Sequence, residues 1–134
     1  MTDFFEQLKD FINTGDTFAR SNGMRITRIS EGHAEAEVDA GPNSRNARGF
    51  IQGGVMFTLA DLAFAGAANS FEGFHATSMV SNISFLRPGT GSKLFADAQV
   101  VNRGRRTCLV EISVTDERGK LVAKVSITGF FVDE

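Results

Sequence analysis

The 134-residue chain has no tryptophan or tyrosine, one cysteine and two histidines. With a single thiol, Cys108, no intrachain disulfide can form, and its place among alternating apolar residues marks it as a core cysteine rather than a nucleophile. His33 and His75 show no ligand spacing for zinc or iron, so no metal is implied. Charge of one sign is also lacking: 14 Lys and Arg face 16 Asp and Glu, for a net charge of -2. That balance gives no broad basic field, which argues against nucleic acid as a partner. The one basic cluster, Arg103-Gly104-Arg105-Arg106, suits a small phosphorylated molecule or a solvated hairpin. The start Met1-Thr2-Asp3-Phe4-Phe5-Glu6 lacks the basic region and apolar core of a signal peptide, so a cytoplasmic location is expected. No apolar run reaches the roughly 20 residues of a membrane span, and no membrane contact is expected.

What is present is phenylalanine, 13 in all, and enough chain for one domain over residues 1–134 with a core of its own. Asp3 and Glu6 form a capping pattern before Phe4, Phe5, Leu8, Phe11 and Ile12, which share a helical face that Asn13-Thr14-Gly15 ends. Past Gly23 the period drops to two. Met24 and Ile26, then Ala34, Ala36 and Val38, alternate with polar residues and predict two strands joined at Glu31-Gly32. A polar loop over 40–54 leads into a segment from Val55 to about Ser70 that is apolar on all sides, the pattern of a helix enclosed by protein.

Period two then returns to the end of the chain. Met79, Ser81, Ile83 and Phe85 share one face, as do Leu94, Ala96, Ala98 and Val100; Cys108, Val110, Ile112 and Val114; and Leu121, Ala123, Val125 and Ile127. Helix, two strands, long buried helix and four strands predict an α+β fold, an antiparallel sheet wrapped around a central helix.

Between Arg48 and Glu72 the only ionisable side chain is Asp61, in the middle of that apolar helix. A buried carboxylate is costly unless it is paired, ligated or used in chemistry. Either Asp61 is paired with an arginine such as Arg87, or it is functional. Just before the helix stand Gln52-Gly53-Gly54. Glycines at a helix start expose N–H groups that no helical carbonyl accepts, at the positive end of the helix dipole, which is an arrangement for an oxyanion. Asp61 lies seven residues beyond Gly54, about 10 Å along the axis. A general base must come within about 3 Å of its proton, so the two can cooperate only across a two-fold axis between subunits.

The segment from Asn46 through Gly49, Gln52-Gly53-Gly54 and Asp61 to Ala65 resembles the signature of hotdog-fold acyl-CoA thioesterases of the phenylacetate-degradation type, an Asn, a Gly, a His-Gly-Gly and an Asp on the central helix. The strand from Ser78 to Pro88 resembles the one that follows it there. The resemblance implies a homodimer or a homotetramer built as a dimer of dimers, acting on acyl-CoA, with coenzyme A as part of the substrate and no other cofactor. It implies Asp61 as general base or nucleophile and the Gly53 N–H of the partner subunit as the donor to the thioester carbonyl. Asn46 would lie near the acyl group or the water, and Ser78 would orient that water. Gly54 and Phe57 would border the substrate. Arg87, Arg103, Arg105 and Arg106 would meet the phosphates of coenzyme A. Apart from the resemblance, the phenylalanines are read as core filling, with Phe50, Phe57 or Phe74 as candidates to line an acyl pocket.

One position departs from the family pattern, Gln52 where histidine is usual. Its amide can hold the loop by hydrogen bonds but does not titrate. The departure motivates a rival reading as a non-catalytic acyl-CoA sensor. A hydratase on the same fold would bring an Asp-His pair, and no histidine stands near Asp61 in the sequence.

Overall fold

The computed structural model describes residues 3–132. Helix α1 runs over Phe4–Gly15, and the Asp3 carboxylate accepts the Glu6 N–H at 2.8 Å to cap it. A five-residue helix, α2 (Thr17–Ser21), follows at once, capped by Asp16. Nothing in the apolar periodicity announces so short a turn. On α1 only Phe5, Leu8 and Ile12 pack against the core, and Phe11 is 75% exposed. The predicted five-residue face is therefore split. Asn13, expected as part of the stop signal, instead fastens α1 to the first strand: its amide donates to Ile26 O and accepts the Ile26 N–H, both at 2.8 Å.

Strands β1 (Met24–Ser30) and β2 (His33–Asp39) form a hairpin. The loop beyond holds a 3-10 turn at Pro42–Ser44 and leads into α3 (Gly53–Ala68), followed by β3 (Ala76–Phe85), β4 (Lys93–Arg103), β5 (Thr107–Asp116) and β6 (Leu121–Phe131). All pairings are antiparallel, in the order β1-β2-β4-β5-β6-β3. After α3 the chain thus lays β3 at the far edge, and β4 returns beside β2.

The sheet wraps α3, which touches all six strands. Leu59, Ala60 and Ala63 are wholly buried on it, against Val38, Leu94, Val110, Ile112 and Ile127 of the sheet. Packing is close at Gly66, where an added Cβ would stand 2.8 Å from Ala34 Cβ, so helix and hairpin approach to a distance only glycine permits. This is the predicted α+β architecture.

Two strand faces differ from the alternation because bulges interrupt them. A register shift between Val114 and Thr115 turns Leu121 outward and buries Val122 in its place. Another, between Ser78 and Val80, leaves both Met79 and Val80 exposed. No helix among the described residues is long and apolar enough to cross a membrane.

Candidate active site

The start of α3 is built by the loop before it. The Asn46 side-chain oxygen accepts the N–H groups of Arg48 (3.0 Å) and Phe50 (3.1 Å), closing a tight turn. The chain is then pinned by Ile51 N–H to Gly89 O and Gln52 N–H to Ser44 O, each 2.9 Å. Gln52 is the N-cap: its side-chain oxygen accepts the Gly54 N–H, and its carbonyl accepts the Val55 N–H. Of the first three N–H groups of α3, that leaves Gly53 with no acceptor among the described residues.

The glutamine that replaces the family's histidine thus does structural work. It selects which donor stays open. Replacing it with alanine should lower stability by about 1 kcal/mol, the usual worth of an N-cap, and chemical denaturation would read the change.

The Gly53 N–H borders a groove of about 550 Å³ lined by Asn46, Arg48, Phe50, Met56, Phe85 and Arg87 among others. Gly53 also allows the Phe85 ring to lie against the helix start, since a Cβ there would stand 2.9 Å from Phe85 Cε1. Because the oxygen of Asn46 is committed to its own turn, the group it offers this groove is its NH2.

Asp61 is half-buried on α3 and has no hydrogen bond or ion pair with any described residue. The pairing with Arg87 that the sequence left open is not formed. Burial raises the Asp61 pKa above the ordinary aspartate range, and the Asp16 carboxylate raises it further. A desolvated, uncompensated carboxylate is a stronger base than an exposed one and is held at a cost to stability.

The structure gathers Asn46, Gly53, Phe50 and Arg87 around one groove. Asp61, Ser78, Gln52, Gly54 and Phe57 do not line it, and no hydrogen bond joins Asp61 to Asn46, Gln52 or Ser78 within the protomer. Ser78 is exposed on β3 beside the bulge.

The arginine turn divides into two parts. The Arg103 guanidinium stacks over Phe71 at 4.3 Å and Phe74 at 4.5 Å, with Phe131 at 5.6 Å, so it is held by aromatic faces. Arg105 and Arg106 are exposed and line a cavity of about 660 Å³ with Phe74, His75, Thr107 and Phe131. That cavity lies past the C-terminal end of α3, opposite Gly53.

Sequence spacing missed one further grouping. The β2–β4 register places Glu35 opposite Asp97 on the outer face of the sheet, and with His33 their ligand-type atoms lie within 4.8 Å of one another. His33 Nε2 and Asp97 Oδ1 are 3.0 Å apart, an ordinary cross-strand pair.

Comparison with known proteins bears on the family and the fold. The family model of the thioesterase superfamily matches residues 48–123. The acyl-coenzyme A thioesterase PaaI of Escherichia coli is 37% identical over 109 residues, covering 81% of this chain and 77% of PaaI. The solved structure of E. coli PaaI superposes with a TM-score of 0.91 at 31% identity, covering 96% of this chain and 94% of that one. A Streptococcus mutans protein solved bound to acetyl-CoA has a TM-score of 0.77 at 30% identity, covering 83% and 90%. The wrapped six-stranded sheet, the glycine-started central helix and these matches together show that the chain belongs to the thioesterase superfamily as a hotdog-fold enzyme of the PaaI-like type.

Proposed function

We propose that the protein hydrolyses the thioester of a small or medium acyl-CoA to the free acid and coenzyme A, in a site shared between two subunits. The observation that carries this reading is the pair of uncommitted groups on α3: one open N–H at its start and one unpaired carboxylate at its middle. The carboxylate is costly to leave unused, and the N–H is open to a ligand oxygen. The thioester carbonyl sits against the Gly53 N–H of one subunit while Asp61 of the other removes a proton from water, or attacks directly. As the carbonyl carbon becomes tetrahedral, negative charge grows on its oxygen and the N–H at the helix N-terminus stabilises it. On the water route, collapse of the intermediate breaks the C–S bond and forms the free acid, and the thiolate takes up the proton held by Asp61 and leaves as coenzyme A; on the direct route, the same collapse leaves an acyl–Asp61 anhydride, which water then hydrolyses to the free acid. The Asn46 NH2 borders the acyl group, and Ser78 orients the water.

The free edge of the sheet supports the assembly. β3 pairs only with β6, and Met79, Val80, Phe85 and Leu86 along it are each more than half exposed. An unprotected apolar edge strand is a template for pairing with another chain. If two β3 edges pair antiparallel, the Ala76 end of one meets the Phe85 end of the other. The Arg105–Arg106 cavity of one subunit then approaches the Gly53 groove and Arg87 of its partner. That adds the Arg105 and Arg106 cations of one subunit to Arg48 and Arg87, which line the groove of the other, as the phosphates of coenzyme A require. Two such dimers can associate further into a tetramer.

Thiol release from a panel of acyl-CoAs tests the activity, and absence of turnover on every member would end it. Val80→Lys tests the assembly. It should yield a folded monomer in sedimentation with little or no hydrolysis, whereas an active monomer would contradict the shared site.

A further inference from the structure

The Gly53 N–H has no acceptor among the described residues, so no bond of its own fixes where it points. Its direction is set by the chain before it. Between 42 and 49 that chain is largely exposed, and its stiffness must come from hydrogen bonds rather than from packing. These lead to the 86–92 connection between β3 and β4. Ile51 N–H donates to Gly89 O at 2.9 Å, and Ala40 N–H to Ser92 O at 2.8 Å. Between them the half-buried Arg45 reaches across, its Nη2 donating to Gly91 O at 2.8 Å and to Ala40 O at 3.4 Å. The connection is in turn fastened to the β5–β6 turn. Glu117 Oε1 accepts the N–H groups of Ser92 (2.7 Å) and Lys93 (3.1 Å) and the Ser92 hydroxyl (3.4 Å). Those two N–H groups hold the Glu117 carboxyl below the ordinary glutamate range, as charge-assisted bonds do. Gly91, at φ +84, admits the carboxylate, since a Cβ there would run into Oε1. The turn is also braced from within: buried Asp116 accepts the N–H groups of Arg118 (2.9 Å) and Lys120 (3.0 Å) and pairs with the Arg118 guanidinium at 2.8 Å.

We propose that Arg45 and Glu117 are positioning residues for the oxyanion donor: Glu117 fixes the connection on the β5–β6 turn, Arg45 fixes the approach to α3 on the connection, and the Gly53 N–H is thereby aimed before substrate arrives. The inference rests on the reading of Gly53 as the donor to the thioester carbonyl. Neither side chain lines the groove that Gly53 borders, whereas Ile51 and Gly89, the backbone pair they hold together, do. Gly89 lies so close over the first turn of α3 that a Cβ on it would stand 2.9 Å from Met56 Cε and 3.0 Å from Ile51 Cβ. A shift of the connection is therefore passed to the helix start with little slack. A donor stabilises the growing charge only when it is held within about 3 Å of the oxyanion, and a misplacement of about 1 Å can cost on the order of a hundredfold in rate. Loosening either side chain weakens an interaction made in the transition state, so kcat falls while KM holds.

The test is a double-mutant cycle against the donor itself, read as kcat and KM on the acyl-CoA that the wild type turns over fastest, with helix content and sedimentation as checks on folding and assembly. Arg45→Met keeps the stem and removes the donors, and Glu117→Ala removes the acceptor from an exposed position where folding is least at risk. Each should lower kcat about tenfold or more and change KM less than about threefold. Glu117→Gln should keep at least about half of the wild-type kcat, because all three hydrogen bonds end on one oxygen that an amide also supplies. Added to Gly53→Pro, which has no donor left to aim, Arg45→Met should lower the residual kcat less than about twofold. If both single variants fold and keep the wild-type kcat, or if Arg45→Met costs as much in Gly53→Pro as it does in the wild type, the inference is overturned while the hydrolytic reading stands. A Gly53→Pro enzyme with the wild-type kcat would overturn the reading of the donor, and the inference with it.

Discussion

Asp61→Asn should lower acyl-CoA hydrolysis at least a hundredfold, since a positioned general base contributes roughly 10² to 10⁴ in rate. The variant should not be less stable at neutral pH. Burial and the nearby Asp16 carboxylate both penalise the charged form of Asp61, and no cation offsets them, so a neutral amide of the same shape removes a cost. The sign of the pH dependence follows. With its folded pKa above the unfolded value, Asp61 binds its proton more tightly in the folded state, and the protein gains stability as pH falls through the folded pKa. Activity moves the other way, because the base must be ionised. The acid limb of kcat/KM should therefore lie above the ordinary aspartate range and be absent from the residual rate of Asp61→Asn. A variant that is fully active, or that loses activity only by unfolding, would remove Asp61 from the chemistry.

The second large effect is expected at Gly53. Proline at this position deletes one atom that matters, the N–H hydrogen, and little else. Gly53 is the first residue of α3, where proline is well tolerated, and Gln52 before it already has φ -66 and ψ 141, the extended conformation that a following proline requires. The Phe85 ring, the nearest obstacle, is half exposed and can swing away. Loss of one oxyanion donor costs roughly 10² to 10³ in kcat, and Gly53→Pro should show that loss with its helix content unchanged. Gly53→Ala keeps the N–H and should fall much less. Equal losses in the two variants would mean that the space beside Phe85, and not the donor, is what the enzyme uses.

Both residues were visible in the amino-acid sequence for one reason, that each breaks the pattern around it. A lone acid in an apolar helix and a glycine pair at its start are anomalies of composition, and anomalies of composition survive without a structure. The long strands and α3 were legible because their periods run for many residues. Features made by a few residues, or by segments far apart, were not. The five residues of α2 carry too little period to detect. The bulges that expose Leu121 and Met79 each depend on one extra residue. The aromatic seat of Arg103 needs Phe71, Phe74 and Phe131 from three places in the chain, and it withdraws an arginine that sequence grouped with Arg105 and Arg106. The cap at Gln52 was foreseen only as a loop contact. Its consequence, that Gly54 is occupied and Gly53 left open, depends on which N–H the amide reaches.

The shared site is tested most directly by subunit complementation. Asp61→Asn and Gly53→Pro should each be nearly inactive alone. In a mixed dimer, one site combines both substitutions while the other combines an intact Asp61 with an intact Gly53. Random exchange makes about half the dimers mixed, so unfolding and refolding an equimolar mixture should recover about a quarter of wild-type activity. If each site lay within one subunit, every site in the mixture would carry one of the two defects. Activity would then stay at the level of the separate variants, and the account of Asp61 and Gly53 acting across the interface would be wrong.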